Sequence, residues 1–199
     1  MIARPCGRRA GGALAVALMT VMPAACAEPP PVTVNPAFVD RYPSAEVSKT
    51  PVQACTIRVV EVVDARRAPE VLGMVSGRVV KSPADSTAWL KSILGGLDSR
   101  GFALTFDKNP GPTLENPVVV RVSLHSAWVT SVATNKTANV VLRVRAERAG
   151  KTAIDRDYRG GVTRMNWAST VGELQGLVDS AFTAALNDMA KDIHPLCEP

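Results

Sequence analysis

Apolar and polar residues alternate along three late stretches of the chain. Val118, Val120, Val122 and Leu124 fall on one side of Arg121, Ser123 and His125. Val140, Leu142, Val144 and Ala146 oppose Arg143, Arg145 and Glu147, and Ile154 and Tyr158 oppose Asp155, Asp157 and Arg159. A period of two is that of a strand buried on one face. Gly150-Lys151 turns the chain between the last two runs. Three such runs in succession predict an antiparallel meander covered on one side only. Upstream, Thr56 to Val63 is rich in β-branched residues and predicts a strand, ended by the charges of Asp64-Ala65-Arg66-Arg67. Val71 to Val80 is a weaker strand pair interrupted by Gly73 and Gly77. Phe102, Leu104 and Phe106 alternate in a further strand, and residues 107–112 form a turn cluster.

Two segments change period. In residues 86–100, Trp89, Ile93 and Leu97 recur every four positions with Leu90 and Leu94 beside them, which is one apolar helical face. Asp85 or Ser86 can cap its start and Gly101 suits the left-handed residue after its end. Gly95-Gly96 predicts close packing of this helix on a sheet. Thr170-Val171-Gly172-Glu173 is a capping box that opens a helix to about Ile193. Leu174, Leu177, Val178, Ala181, Ala185, Leu186 and Met189 form its buried stripe, with Phe182 at the margin. The order predicts an α+β fold. Its sheet is mainly antiparallel with about five strands, including the C-terminal three-stranded meander, and two helices pack on one face.

The N-terminal residues follow another logic. Arg4, Arg8 and Arg9 precede an apolar run from Ala10 to Met22, and Pro23-Ala24-Ala25-Cys26-Ala27 follows with small residues. That is the layout of a secretory signal peptide, and the run is short for a bilayer span. Two exits are open: cleavage after the A-x-A pattern Ala25-Cys26-Ala27, or lipoprotein processing at Cys26. In the second, the thiol carries a thioether-linked diacylglycerol, each buried methylene adding about 0.8 kcal/mol of membrane affinity. Residues 26–53 hold Pro29-Pro30-Pro31, Pro36, Pro43 and Pro51 and predict a semi-extended tether reaching roughly 25–30 Å. The organisation is then a signal peptide over residues 1–25, a tether over 26–53 and one globular domain over 54–199.

Export alters the charge balance. The whole chain carries 23 Lys+Arg and 18 Asp+Glu. Without the three leader arginines, 20 basic residues face 18 acidic ones, a net charge of +2. The high isoelectric point belongs largely to the leader, and a nucleic-acid partner is not supported. With 46% hydrophobic and 5% aromatic residues, the chain is globular and its core is built from Val, Leu, Ile and Ala. Loss of Cys6 with the leader leaves Cys26, Cys55 and Cys197. In an oxidising compartment an odd cysteine is a liability. Acylation of Cys26 would leave Cys55 and Cys197 as a disulfide closing nearly the whole domain, worth about 5 kcal/mol in the chain-entropy account.

The chain resembles the YajG-type family of uncharacterised bacterial lipoproteins from about Cys55 to Ile193, together with the signal segment and Cys26. The likeness lies in the strand closing at Val63-Asp64-Ala65-Arg66 and the helix ending Leu97-Asp98-Ser99-Arg100-Gly101-Phe102. It continues in the Val119-Arg121-Val122 strand, the Arg156-Asp157-Tyr158-Arg159-Gly160 strand and the final helix. Pro23 in the lipobox, the longer proline-rich tether and the Cys55–Cys197 pair depart from the family pattern. The resemblance implies an α+β envelope lipoprotein with no agreed biochemical activity. Ala27 after Cys26 is not the Asp that retains many bacterial lipoproteins in the inner membrane, which points to the outer membrane, facing the periplasm.

Chemistry-bearing motifs are sparse. His125 and His194 are the two histidines. Ser123 and His125 on one strand face suggest a hydrolase only if an acid converges on them, and His194 suits the C-terminus of the last helix. No zinc-ligand spacing, Walker motif or dinucleotide glycine pattern occurs, so no catalytic residue, metal or cofactor is assigned. Gly160-Gly161 predicts a strand bulge. Asp64, Arg66 and Arg67 form the densest charge group, suited either to a salt-bridged strand end or to a partner contact. Trp128 and Trp167 join them as candidate partner-binding residues if exposed. These features favour a non-enzymatic, lipid-anchored envelope module with an unidentified envelope protein as partner. The alternative is a carrier or chaperone for a lipid or other apolar ligand between helices and sheet.

Overall fold

A computed structural model of the chain describes residues 29–40, 55–106, 117–165 and 169–197. The signal segment, Cys26, the turn cluster 107–112, Trp167 and the tether beyond residue 40 lie outside the described residues. The strands are β1 (Val32–Thr33), β2 (Cys55–Asp64), β3 (Val71–Val75), β4 (Arg78–Lys81), β5 (Phe102–Thr105), β6 (Val118–Val132), β7 (Asn135–Arg148) and β8 (Lys151–Met165). The helices are α1 (Ser86–Leu94) and α2 (Val171–Ile193).

The fold class is α+β, but the sheet differs from the expected one. It is mixed and eight-stranded, where the sequence predicted about five mainly antiparallel strands. The meander is present: β6 pairs antiparallel with β7, and β7 with β8, over nearly their full lengths. The other edge of β6 carries two parallel neighbours in succession. β2 runs beside its first half, Ile57 opposite Val118, and β3 beside its second half, Gly73 opposite Val129. β5 extends the sheet in parallel on the far side of β2. Parallel pairing depends on how far the chain travels between strands, and a local pattern of two does not record that distance.

Inward residues of β6, β7 and β8 form the core with both helices. The predicted helical stripes are buried, and Phe182, expected at the margin, is fully buried. Trp89 of α1 meets its ring edge-on at 5.3 Å between centroids, so α2 is covered by its neighbour helix as well as by the sheet. The Thr170 capping box forms in both directions, Glu173 N–H donating to Thr170 Oγ1 and Thr170 N–H to Glu173 Oε2. α1 ends at Leu94 and continues as a 3-10 turn through Gly95–Arg100. Gly96 there lies against Phe38 and Leu186, not against the sheet.

Gly160 and Gly161 stay in regular register opposite Val140 and Asn139, so the predicted bulge is absent there. A Cβ on Gly160 would lie 1.8 Å from the Ala181 carbonyl oxygen of α2. The glycine exists because helix and strand backbones touch. Gly73 plays the same part between β3 and β6, where a Cβ would lie 2.0 Å from the Val129 oxygen.

Residues 29–40, expected to be free tether, are bound to the domain. β1 pairs in parallel with β4, burying Val32 and Val34, and Val34 N–H donates to the Lys81 carbonyl. The prolines before it suit an edge strand, where a missing donor costs little. The segment then crosses the helices. Asn35 N–H donates to Gln175 Oε1 at 2.7 Å, and Phe38 N–H to Ser92 Oγ at 3.0 Å. It is pinned at Asp40, whose carboxylate meets Arg100 Nη1 at 2.6 Å and accepts from Thr183 at 2.9 Å. Arg100 is fully buried and also donates to Asn187. Burial alone would raise the Asp40 carboxyl, but the Arg100 guanidinium and the Thr183 and Ser99 hydroxyls hold it below its ordinary value.

Cys55 and Cys197 are joined across a sequence separation of 142 residues. The bridge fastens the turn after α2 to the start of β2 in the sheet.

These clasps can be tested by unfolding. Asp40→Ala leaves Arg100 buried and unpaired and is expected to cost about 3–5 kcal/mol in urea unfolding, with Asp40→Ala/Arg100→Met recovering most of it. Because the folded carboxyl titrates below 3.8, its contribution is complete above that pH and lost as pH falls through the folded value; Asp40→Asn is expected to flatten this acid limb. Cys55→Ala/Cys197→Ala is expected to lower unfolding free energy by about 2–5 kcal/mol, read by the same titration.

Candidate functional site

Outward positions of the meander remain uncovered by either helix. Alternation places Arg121 and Ser123 of β6, Arg143, Arg145 and Glu147 of β7, and Asp155, Asp157 and Arg159 of β8 on this face, with Glu61 and Val63 of β2 beside them. Cross-strand register pairs opposite charges: Arg143 stands opposite Asp157 and Arg145 opposite Asp155. Arg121 reaches Glu147 at 2.9 Å and Glu61 at 3.9 Å. Arg143 reaches Asp155 at 2.5 Å and Asp157 at 3.3 Å, and Arg145 reaches Glu147 at 3.1 Å. The hydrogen bond from Arg143 to Asp157 and the charges of both aspartates raise the Arg143 pKa. A depression of about 380 Å³ runs between these side chains and the exposed edge of Val63. Of the four guanidinium groups on this face, those of Arg121, Arg143 and Arg145 are therefore partly neutralised by carboxylates, an arrangement that can exchange partners with another charged surface.

The candidates named from sequence separate into two kinds. Asp64 and Arg66 are buried against each other, Arg66 Nε to Asp64 Oδ1 at 2.9 Å and Nη2 to Oδ2 at 2.6 Å. Arg66 also donates to the Pro69 carbonyl and Ser82 and lies 5.8 Å from the Trp89 ring centroid. Burial would raise the Asp64 carboxyl, yet the Arg66 bonds and charge hold it low. This pair turns the chain from β2 towards β3 as a buried salt bridge at the strand end. Arg67 is exposed and lines a second depression with His125 and Ser126. Trp128 is exposed on the uncovered face, opposite Asn139.

The register of β6 shifts between Leu124 and Ser126, so His125 occupies an irregularity that interrupts the two-residue alternation from Ser123. Among the described residues no hydrogen bond joins Ser123 to His125, and no group of three or more His, Cys, Asp or Glu side chains is placed to hold a metal. His194 stands at the C-terminus of α2 with its ring edge-on to Phe102 at 5.8 Å. Between helices and sheet, Gly160 brings the α2 backbone against β8 and Trp89 packs edge-on against Phe182, while a depression of about 350 Å³ lies between Thr87 and Lys91 of α1 and Val59 to Val63 of β2.

The charge lattice formed by Arg121, Arg143 and Arg145 with Glu61, Glu147, Asp155 and Asp157 is not visible in any one strand, where each charged residue reads as a solvated outward position. The alternation of sign at matching register positions was the available signal.

No family model matches the chain, and no curated protein matches it. Among solved structures the chain is similar to a Xanthomonas campestris protein of the DUF330 family, at 16% identity over 83% of this chain and 91% of that one, with a TM-score of 0.43. It is similar to a lipoprotein of Neisseria meningitidis at 13% identity over 69% and 99% of the two chains, with a TM-score of 0.36. A minor lipoprotein of Acinetobacter baumannii is similar at 10% identity over 71% and 94%, with a TM-score of 0.42.

The two kinds of arginine are expected to differ in stability. Arg121→Ala on the uncovered face is expected to cost less than about 1 kcal/mol. Arg66→Ala, which strands a buried carboxylate, is expected to cost about 3–5 kcal/mol. Urea unfolding of both variants checks the contrast.

Proposed function

We propose that this protein is a non-enzymatic, lipid-anchored module of the bacterial cell envelope, held to the outer membrane at Cys26 and facing the periplasm, whose uncovered charged sheet face receives an envelope protein. The observation that carries this reading is the Cys55–Cys197 bridge. A structural disulfide belongs to an oxidising compartment, which agrees with the export signal. It also consumes the two cysteines of the folded domain and leaves Cys26 as the odd thiol, directly after two small residues. Acylation removes that thiol from disulfide exchange. The resemblance to the YajG-type lipoproteins belongs to the same reading.

The partner side of the proposal rests on the lattice of Arg121, Arg143 and Arg145. Exposed ion pairs contribute little to folding, so their concentration on one open face supports a role in association, where complementary charge steers and orients a partner.

Labelling cells with radioactive palmitate is expected to mark the wild-type protein and not Cys26→Ser. Cross-linking in intact envelopes is expected to capture a reproducible protein partner, lost in Arg121→Glu/Arg143→Glu. An unlabelled wild-type protein recovered in soluble extracts overturns the anchor. An unchanged cross-linking pattern in the double variant overturns the assigned face.

A further inference from the structure

Exposed apolar side chains are unevenly placed on this molecule. Among the described residues, eight large hydrophobic side chains are exposed, and five of them gather at one end: Val132 at 74%, Met165 at 62%, Met74 at 59%, Val171 at 50% and Trp128 at 44% exposure. The topology puts them together. Val132 ends β6 and pairs with Asn135, which pairs with Met165 at the end of β8. Met74 stands beside Thr130, one row inward, and Trp128 lies a further row in. Val171 starts α2, next to Ser169, whose hydroxyl meets Ser76 of the β3–β4 turn at 3.3 Å.

The uncovered sheet face changes character towards this end. Beyond Trp128 its outward positions are Thr130, Val132, Asn135, Thr137, Asn139, Gly161, Thr163 and Met165, none of them charged. Thr137 and Thr163 satisfy each other across the strands at 2.9 Å. The arginine–carboxylate lattice occupies the opposite half. Hydrophobic residues at the ends of strands have no core to fill here, and threonine neighbours make their transfer out of water less costly than charged neighbours would.

The described chain begins at the same end. Arg78, just past the β3–β4 turn, donates to the Pro30 carbonyl at 3.2 Å, and β1 starts beside Val80. Cys26 precedes Val32 by six residues. Even fully extended, six residues reach at most about 20 Å. With residues 29–40 fixed to the domain, the leash is this short connection, not the whole of residues 26–53.

We propose that this end of the domain docks on the phospholipid bilayer, with Val132, Met165, Met74 and Trp128 entering the headgroup–acyl boundary. The inference rests on the anchor reading for its proximity argument. An acylated Cys26 keeps the bilayer within the reach of the leash, which raises its effective concentration at the tip. Methionine, valine and tryptophan without intervening carboxylates supply apolar area and an amphipathic indole suited to the interface. Arg78 adds a cation at the tip for anionic headgroups. Docking here orients the molecule, with the charged lattice directed away from the membrane and open to the periplasm.

The test uses the full chain purified from bacterial membranes and reconstituted in phosphatidylethanolamine/phosphatidylglycerol vesicles that carry nitroxide-labelled acyl chains. A fluorophore is placed on Val132→Cys, Met165→Cys or, at the other end of the meander, Lys151→Cys. Fluorescence at 132 and 165 is expected to be quenched about threefold more than at 151, and Val132→Asp/Met165→Asp in the Cys26→Ser background is expected to bind vesicles about tenfold more weakly than its parent. Mass spectrometry of the N-terminal peptide reports acylation separately. Equal quenching at all three positions in an acylated protein overturns the docking and leaves the anchor standing. Selective quenching in a chain without acylation supports the docking and overturns the anchor. Loss of both overturns both. Probe shifts that appear without vesicles and follow dimer formation assign the patch to a second copy and overturn the bilayer as its occupant.

Discussion

The meander of β6, β7 and β8 has one row of side chains that can leave water and one that cannot. Val120, Val122, Val140, Leu142, Val144 and Tyr158 point inward, and the Gly160 contact lets the α2 backbone settle directly on β8. Burial of apolar area at about 25 cal/mol per Å² is the driving term for such a layer. The outward arginines and carboxylates fix which side it forms on, because a one-residue slip would bury them. The helix has no comparable freedom: shifting it would open the Gly160 contact and separate Phe182 from Trp89. Tyr158 adds a polar lock, its hydroxyl donating to Asp192 at 2.8 Å while Arg156 donates to the same carboxylate at 2.9 Å. Burial and the Asp192 charge both push the Tyr158 pKa upward, so the phenol stays a donor.

This single layer explains why the remaining elements sit where they do. β6 is longer than β2 and presents more edge than one neighbour can pair, so β3 takes the remainder. β4 and β1 then extend that side. The N-terminal segment finishes the cover over α1 and α2, which is why polar residues of α2 such as Gln175 and Thr183 are buried while still bonded. The disulfide closes the opposite end of the fold, where the turn after α2 meets β2.

The two clasps and the open face serve different ends. Buried charges at Asp40–Arg100 and Asp64–Arg66 are paired with each other and hold chain reversals in place. The charges at Arg121, Arg143 and Arg145 are half-exposed and paired across strands on the uncovered face. Position on the sheet, not residue type, separates a buried arginine from an exposed one.

Much of this was legible locally. The period-two runs located β6, β7 and β8, the four-residue spacing located both helices, and Thr170 with Glu173 marked the start of α2, because each depends on neighbours within one strand or one turn. Counting thiols made Cys55 and Cys197 a pair only on the premise that Cys26 is acylated, by elimination and not by any local pattern. Residues 29–40 were misjudged because their prolines announce poor regular structure, while the pairing partner that gives β1 its place, β4, lies nearly fifty positions away. The parallel edges of β2, β3 and β5, the use of Gly160 and the full burial of Phe182 were likewise invisible. Each is set by which backbone arrives alongside another, and loop closure over tens of residues leaves no periodic trace in the residues it brings together.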